Sequence, residues 1–144
     1  MTWPDVEGGL RTYLRADAAV SALCAQRVFF GVPRKGARFP LVTVQRIGGG
    51  DDPSEVPIDR ALVQVDCWGA FADETAHVRP NKAGAFALAA AVRDALSAIR
   101  GATDIGEDVI AYGANVVSSQ WLPDADDRPR YSLTVDLTAR ALVA

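Results

Sequence analysis

The sequence lacks an excess of positive charge and lacks any long apolar run. Its 15 lysines and arginines against 18 aspartates and glutamates give a net charge of −3 and a pI near 5.0. A protein that grips nucleic acid needs a basic face to displace counterions from phosphates, so this balance argues against that class, although DNA could still pass by it. No apolar stretch approaches the roughly 20 residues that span a bilayer. The segment Met1–Gly9 carries acids but no basic region, so we expect no signal peptide and a cytoplasmic chain.

Cysteine and histidine are also scarce, which limits metal and catalytic chemistry. The two cysteines, Cys24 and Cys67, are far apart in apolar patterns, and two thiols cannot supply the four ligands of a structural zinc site. We therefore expect both to be small core residues. The single histidine, His77, follows Asp73 and Glu74, but these carboxylates lack metal-ligand spacing and nothing nearby supplies a desolvated acid–base partner. We expect no catalytic residue, no metal and no cofactor.

Three consecutive glycines, Gly48 to Gly50, invite comparison with a phosphate-binding loop. Such a loop needs a lysine and a serine or threonine after the glycines, with a helix following. Here Asp51 and Asp52 follow, and their charge would repel phosphate. The glycines therefore predict a flexible loop rather than a phosphate site.

A strand and a helix organise the rest of the chain, which has the length of one domain (residues 1–144) and is 49% apolar. In the strand Ala61–Trp68, every second residue from Ala61 to Cys67 is apolar, which predicts a half-buried strand. In the helix predicted from Ala83 to Arg100, apolar residues recur at helical spacing and form one stripe. The stripe consists of Ala85, Leu88, Ala89, Val92, Leu96 and Ile99.

Further helices and strands are predicted on both sides of this pair. A first helix is expected to begin at a Thr2 cap, and a second, shorter helix follows Asp17. The other predicted strands are Arg27–Phe30, Leu41–Ile47, Val109–Trp121 and Tyr131–Arg140.

The resulting order of elements is α-α-β-β-β-α-β-β. It predicts an α+β fold, with an antiparallel or mixed sheet of about five strands and helices packed on one face. Gly101 is expected to stop the long helix. Ile110, Tyr112 and Val116 are expected to share one face of the strand that follows. Gly48–Asp59 connects two strands as a long hairpin arm.

Two loops carry charge of one sign only. The loop from Gly31 to Pro40 contains three cations and no acid, whereas the arm contains four acids. Either both loops are simply solvated, or they are complementary patches that meet between copies or on a partner and fix its register. Phe30 favours the second interpretation, because neighbouring rings on a strand point to opposite sides and cannot both enter the core. We predict a subunit or partner interface at Phe30, Arg34, Lys35, Arg38, Asp51, Asp52, Glu55 and Asp59.

Several phrases, in this order, resemble the small tail-completion proteins of long-tailed bacteriophages, the group of tail terminators and tail-to-head joining proteins. The phrases are Asp17 to Leu23, Arg27-Val28, Phe39 to Ile47, Val63 to Trp68 and Ala89 to Leu96. They are packing patterns rather than chemical motifs. The sequence departs from the family between Trp68 and Lys82, where the family continues more directly into its helix.

The resemblance implies an α+β subunit that assembles into a ring, usually of six copies. Such a ring caps the tail tube, stops its growth and offers a surface to the head-side connector. The implied partners are further copies of this chain, the tail tube protein and the head-side connector protein, with DNA only as passing cargo and no membrane. The resemblance implies no enzyme activity and no cofactor. It implies a place in the virion tail or neck after assembly in the host cytoplasm.

Other functions remain open at this point. The resemblance does not separate a tail terminator from a head-side connector or adaptor of the neck. A small cytoplasmic ligand-binding domain or enzyme would need a pocket, with Asp66, His77 and Asp136 as its best polar candidates. A monomeric adaptor would bind one partner through a sheet edge, at the strand Arg27–Phe30.

Overall fold

A six-stranded sheet with helices on one face forms the body of the protein. The computed structural model describes residues 3–52 and 57–142, with the backbone alone at residues 51 and 52. Within these residues the helices are α1 (Val6–Ala16), α2 (Ala18–Cys24) and α3 (Lys82–Ser97). The strands are β1 (Val28–Phe30), β2 (Leu41–Asp52), β3 (Ile58–Trp68), β4 (Phe71–Asp73), β5 (Val78–Pro80), β6 (Arg100–Gly106), β7 (Val109–Trp121) and β8 (Arg130–Ala141).

The large sheet has the strand order β1-β2-β3-β8-β7-β6, and β4 and β5 form a separate two-stranded sheet. β1 runs parallel to β2, whereas the other neighbours in the large sheet are antiparallel. The prediction of an α+β fold with a mixed sheet is confirmed, with one strand more in the large sheet than the pattern indicated. β1 and β6 lie at its two edges.

The additional strand, β6, lies where the sequence predicted the end of a helix. α3 ends at Ser97 rather than at Arg100, and Gly101, expected to stop the helix, is inside β6 with a φ of 62°. Of the residues in β6, only Ile105 is buried. An edge strand with one buried side chain has no apolar alternation, so no periodic signal marks it in the sequence.

The core lies between the helices and one face of the sheet. α1 contacts β1, β2 and β6, and α3 contacts β3, β7 and β8, so the helices cover the same face. The predicted stripe of α3 is buried against alternate residues of β3 and β8, which confirms both periodicities. Each large aliphatic side chain buried here contributes about 1.5–3 kcal/mol. The inward residues are Ala61, Val63, Val65 and Cys67 in β3, and Leu133, Val135, Leu137 and Ala139 in β8.

The opposite face of the sheet is covered at one end. Trp68 and Asp66 of β3, which the alternation places away from the helices, are nevertheless buried. Trp68 Nε1 donates a hydrogen bond to the hydroxyl of Thr43 (2.9 Å), and the guanidinium carbon of Arg130 lies 4.8 Å from the Trp68 ring centroid. Arg130 also approaches the Asp66 carboxylate, at 3.8 Å. A cation therefore shields an aromatic and an acidic side chain that period-two alternation alone would leave in solvent.

β7 changes faces along its length because its pairing with β8 is irregular. The register shifts after Ala111 and again after Val116. A bulge adds one residue to a strand and so reverses the alternation of its side chains. Val116 packs against the core whereas Tyr112 is exposed. The prediction that Ile110, Tyr112 and Val116 share one face is therefore wrong.

The predicted hairpin arm is largely strand rather than loop. β2 extends to Asp52 and β3 begins at Ile58, so the three glycines pair with β3. Gly49 has a φ of 97°, and a Cβ at this position would lie 2.1 Å from the carbonyl oxygen of Arg60. Only glycine permits this conformation and this approach of the two strands. The prediction of a flexible loop at Gly48–Gly50 is wrong, and residues 53–56 of the arm lie outside the described residues.

α1 begins at Val6, later than the sequence indicated. Asp5 caps it, accepting a hydrogen bond from a backbone N–H of the first turn, whereas the predicted cap, Thr2, lies outside the described residues. A Cβ at Gly9 would lie 2.9 Å from Ile105 Cδ1, so glycine lets α1 pack closely against β6. This packing offsets the roughly 1 kcal/mol by which a glycine weakens a helix. The prediction that a short helix follows Asp17 is confirmed, and the Asp17 carboxylate caps α2 by accepting a hydrogen bond from the Val20 N–H.

Candidate assembly interface

A groove of about 570 Å³ lies beside the edge strand β1 and is lined by cations. The predicted basic loop supplies three of them, all exposed: Arg34, Lys35 and Arg38. Three further arginines were not singled out by the sequence pattern: Arg11, Arg15 and Arg27. Arg11 and Arg15 are one turn apart on α1, so their spacing already places them on one face of that helix. Their proximity to the basic loop depends on how α1 packs beside β1.

Aromatic side chains of β1 form the apolar part of the groove. The guanidinium carbon of Arg11 lies 4.8 Å from the Phe30 ring centroid, and that of Arg15 lies 5.9 Å from the Phe29 ring centroid. The exposed fraction is 39% for Phe29 and 45% for Phe30, so neither ring enters the core. The strand pattern of Phe29 and Phe30 allows one of the two rings to face the core. In the structure, an arginine lies over each ring instead.

The backbone of β1 is less available to a partner than its side chains are. Arg15 Nη2 donates a hydrogen bond to the carbonyl oxygen of Val28 (2.8 Å), and the Val28 N–H donates to the carbonyl oxygen of Gln26 (2.8 Å). Both backbone polar groups of Val28 are thus occupied within the subunit. A partner strand added at this edge would have to displace them, which weighs against the adaptor alternative.

Positive charge accumulates in the groove without neutralisation by the described residues. None of the six groove cations lies within 4.0 Å of a described carboxylate oxygen. Glu7, one turn before Arg11, accepts a hydrogen bond from the Arg46 backbone N–H (3.1 Å) instead. Burial, and then the positive charge of Arg11, lower the pKa of Arg15. This concentration of cations contrasts with the negative net charge of the whole chain.

The predicted acidic residues do not form one exposed cluster. Asp59 is 4% exposed in β3, where its two carboxylate oxygens accept hydrogen bonds from the guanidinium of Arg46. The charge of Asp59 is therefore neutralised inside the subunit. Asp51 and Asp52 are the last residues of β2, and Glu55 lies outside the described residues.

The basic groove and the acidic end of the hairpin are far apart within one subunit. β1 pairs with β2 only at the start of that strand, from Val42 to Val44. Asp51 lies seven residues after Val44, which at about 3.3 Å per residue is a distance of roughly 23 Å. The basic loop returns to the start of β2, because Arg27 Nε donates a hydrogen bond to the Pro40 carbonyl oxygen (2.8 Å). The structure therefore does not bring the two predicted patches together in one chain.

The residues weighed for catalysis do not converge. His77 is exposed between β4 and β5, where its ring stacks on Phe71 with 5.1 Å between centroids. Asp66 is buried and accepts a hydrogen bond from Gln64 (2.9 Å), whereas Asp136 is exposed on β8. Across residues 3–52 and 57–142 there is no group of three or more His, Cys, Asp or Glu side chains that could hold a metal ion. These candidates form no common site.

Both cysteines are free and buried, which confirms their prediction as core residues. Cys24 and Cys67 belong to the apolar core cluster, and burial raises the pKa of each thiol. A raised thiol pKa lowers the thiolate fraction and therefore the reactivity of the sulfur. Their role is packing rather than chemistry.

Arg128, which the sequence pattern did not single out, binds residues of the basic loop and of the β4–β5 hairpin. The Arg128 guanidinium carbon lies 3.5 Å from the Phe39 ring centroid and 4.8 Å from that of Phe71. Arg128 donates hydrogen bonds to both carboxylate oxygens of Glu74 (2.7 and 3.1 Å) and to the Gly69 carbonyl oxygen (3.2 Å). The hydrogen bond from Arg128 holds the pKa of Glu74 below its usual range. The β4–β5 hairpin, where the sequence departs from the resembling family, is thereby tied to the end of the basic loop.

A concentrated basic groove on an α+β subunit of this kind can bind an acidic partner or an acidic segment of another copy. A family model described as tail completion protein gp17 matches residues 8–142 of this chain. The chain therefore belongs to this family of bacteriophage tail completion proteins. The resemblance predicted from the sequence is confirmed, and the protein is a structural component of the virion tail.

A solved structure shows the same fold. The chain is similar to a chain of the "Virion of native gene transfer agent (GTA) particle", with a TM-score of 0.65 and 21% sequence identity. The match covers 94% of this chain and 95% of the other. No curated protein matches the sequence. None of the helices in the described part of the chain is long and apolar enough to cross a membrane.

Proposed function

We propose that this protein forms a ring at the end of the phage tail tube, where it terminates tail growth and joins the tail to the head. The observation that carries the proposal is the basic groove on a tail completion fold, which lies far along β2 from the acidic sequence at the end of the hairpin. Surfaces that are unlike and cannot meet within one chain favour head-to-tail contacts. Such contacts close into a ring when the rotation between neighbours divides the circle.

The proposed partners are further copies of this chain, the tail tube protein and the head-side connector protein. The ring contains six copies, the number that the resemblance implies, and each copy contributes residues 1–144 as one domain. DNA passes through without being gripped, since a chain of net charge −3 neutralises few phosphates. The proposed contact residues are Phe30, Arg34, Lys35, Arg38, Asp51, Asp52 and Glu55. Asp59 supports the hairpin from inside, through Arg46.

The mass of the purified protein in solution tests the ring. Light scattering or native mass spectrometry would be applied to the protein alone and mixed with its tail tube protein. We expect a closed oligomer in at least one of the two samples. A monomer in both samples would overturn the proposal.

Electron microscopy of particles assembled without this protein tests its place in the tail. Loss of a terminator leaves tube growth unchecked, so we expect tails longer than those of complete particles. Tails of normal length, lying beside unattached DNA-filled heads, would instead assign the protein to the head-side connector.

A further inference from the structure

We propose that the basic groove is the docking site for the acidic hairpin tip of a neighbouring copy of this chain. The tip is defined as residues 51–56, which comprise the last two residues of β2 and the four residues that follow them in the sequence. The groove is the surface formed by Arg11, Arg15, Arg27, Arg34, Lys35 and Arg38 around the rings of β1. This inference rests on the proposed ring, and it names the contact that holds neighbouring subunits together.

The charges of groove and tip are complementary. The six groove cations have no carboxylate partner among the described residues. The tip reads Asp51-Asp52-Pro53-Ser54-Glu55-Val56, with three acids and no basic residue. Asp59 does not contribute, because Arg46 already neutralises it. Two grooves facing each other would repel, so the pairing of groove with tip also sets the orientation of neighbouring copies.

The chemistry of the groove suits an acidic peptide with apolar residues. Val32 is 74% exposed and, with Phe29 and Phe30, forms apolar surface among the cations. In the tip sequence, Pro53 follows Asp52 and Val56 follows Glu55, so apolar residues adjoin the acids. Guanidinium groups that lie over aromatic rings still present N–H donors in a planar fork, which matches the geometry of a carboxylate.

The occupant of the groove must belong to another copy. Within one chain the tip begins roughly 23 Å from the part of β2 that pairs with β1, at about 3.3 Å per residue of strand. An ion pair requires an N–O distance of about 4 Å or less. In a chain of such contacts the groove of each copy receives the tip of the next, until the last contact closes a ring.

Charge reversal in the groove and in the tip tests this contact. The groove variant is R34E/R38E, at two exposed positions, and the tip variant is D51K/D52K. Each variant alone should weaken self-association at least about tenfold, since close interfacial charge pairs carry coupling of this size or more. The matched controls reverse exposed charges elsewhere on the surface and should leave association unchanged; they are R93E on α3 and D126K/D127K between β7 and β8.

Mixing the two variants provides a readout that misfolding would not reproduce. The groove variant keeps its acidic tip, and the tip variant keeps its basic groove. The tip of the groove variant can therefore dock in the groove of the tip variant. The reversed tip has no such partner in the groove variant, because Arg11, Arg15, Arg27 and Lys35 are unchanged there. We expect each variant alone to associate more weakly than the wild type and the mixture to form mixed pairs of the two chains, detected by native mass spectrometry of isotope-labelled chains.

Failure of this inference can be distinguished from failure of the proposed ring. If the wild type forms a closed oligomer and the reversals do not weaken it, or mixing yields no mixed pairs of the two variants, the docking inference is overturned and the ring stands. If the wild type is monomeric even with the tube protein, the ring is overturned. A synthetic peptide of residues 51–58 then probes the groove directly by NMR. Binding that is lost in R34E/R38E would support the docking site, and no binding at millimolar peptide would overturn it.

Discussion

Gly49→Ala should destabilise the hairpin that carries the acidic tip, whereas Gly50→Ala should not. The φ of Gly49 is 97°, a left-handed conformation that costs an L-residue about 1–2 kcal/mol. The new methyl carbon would also lie 2.1 Å from the Arg60 carbonyl oxygen and 2.8 Å from the Ala61 Cα. These are backbone atoms of a paired strand, so they cannot swing aside as the end of a side chain can. A Cβ at Gly50 would meet no atom within 4 Å.

The magnitude follows from these two effects and one opposing effect. Steric overlap in a packed region adds about 1–3 kcal/mol to the conformational cost. Alanine also reduces the conformational freedom of the unfolded chain, and this offsets about 0.4–1 kcal/mol of the destabilisation. The free energy of unfolding of Gly49→Ala should therefore fall by about 2–3 kcal/mol, and Tm by roughly 5–10 °C for a chain of this length. In Gly50→Ala only the restriction of the unfolded chain applies, so the free energy of unfolding should change by less than about 1 kcal/mol.

Urea unfolding and thermal circular dichroism would measure both variants at one low protein concentration, because assembly raises Tm as concentration rises. Gly49→Ala should also weaken self-association, since the tip depends on the hairpin. Equal unfolding midpoints for the two variants would refute the close approach of β2 and β3 at Gly49. The glycines would then be the flexible loop that the sequence suggested.

Asp59→Asn should lower the free energy of unfolding by about 1–3 kcal/mol in urea titrations, less than for a fully buried pair because Arg46 is partly exposed; an unchanged midpoint would contradict the pairing. Glu74→Gln should cost stability near pH 7 but not at low pH. Arg128 lowers the folded pKa of Glu74, so its contribution is present above the unfolded pKa of about 4.3 and is lost as pH falls through the lower folded value. A loss of the same size at both pH values would exclude this linkage. Cys24 should react with a thiol reagent only after unfolding, because burial hides it and raises its pKa, and rapid labelling of the native protein would show otherwise.

The central elements of the fold are predictable because each carries a complete periodic signal. In β3 the residues from Ala61 to Cys67 alternate, and in α3 the stripe from Ala85 to Leu96 repeats at helical spacing, and both are buried as predicted. β6 carries only one buried residue, Ile105, so its pattern is indistinguishable from that of a loop. The alternation of β7 fails after Ala111, because a bulge depends on pairing with β8 rather than on local sequence.

The candidate interface was predictable only in the parts that are contiguous in sequence. Arg34, Lys35 and Arg38 lie in one loop and were recognised as a charged patch. Arg11 and Arg15 precede that loop by some twenty residues, and only the packing of α1 beside β1 brings them into the groove. Asp59 was assigned to the acidic surface because nothing local reveals that Arg46 faces it from the neighbouring strand.

The sequence by itself determined the order of the three helices and of five strands, the faces of β3, β8 and α3 that are buried, and the two segments of opposite charge. These depend on the periods of strand and helix and on local composition, which any short stretch of chain reveals. Only the tertiary structure decided which charges remain unneutralised. The partner of a charge lies on another strand or loop, as the guanidinium of Arg46 on β2 reaches Asp59 on β3, and as Arg128 binds Glu74. The groove keeps its six cations because the fold places them together and places no described acid among them.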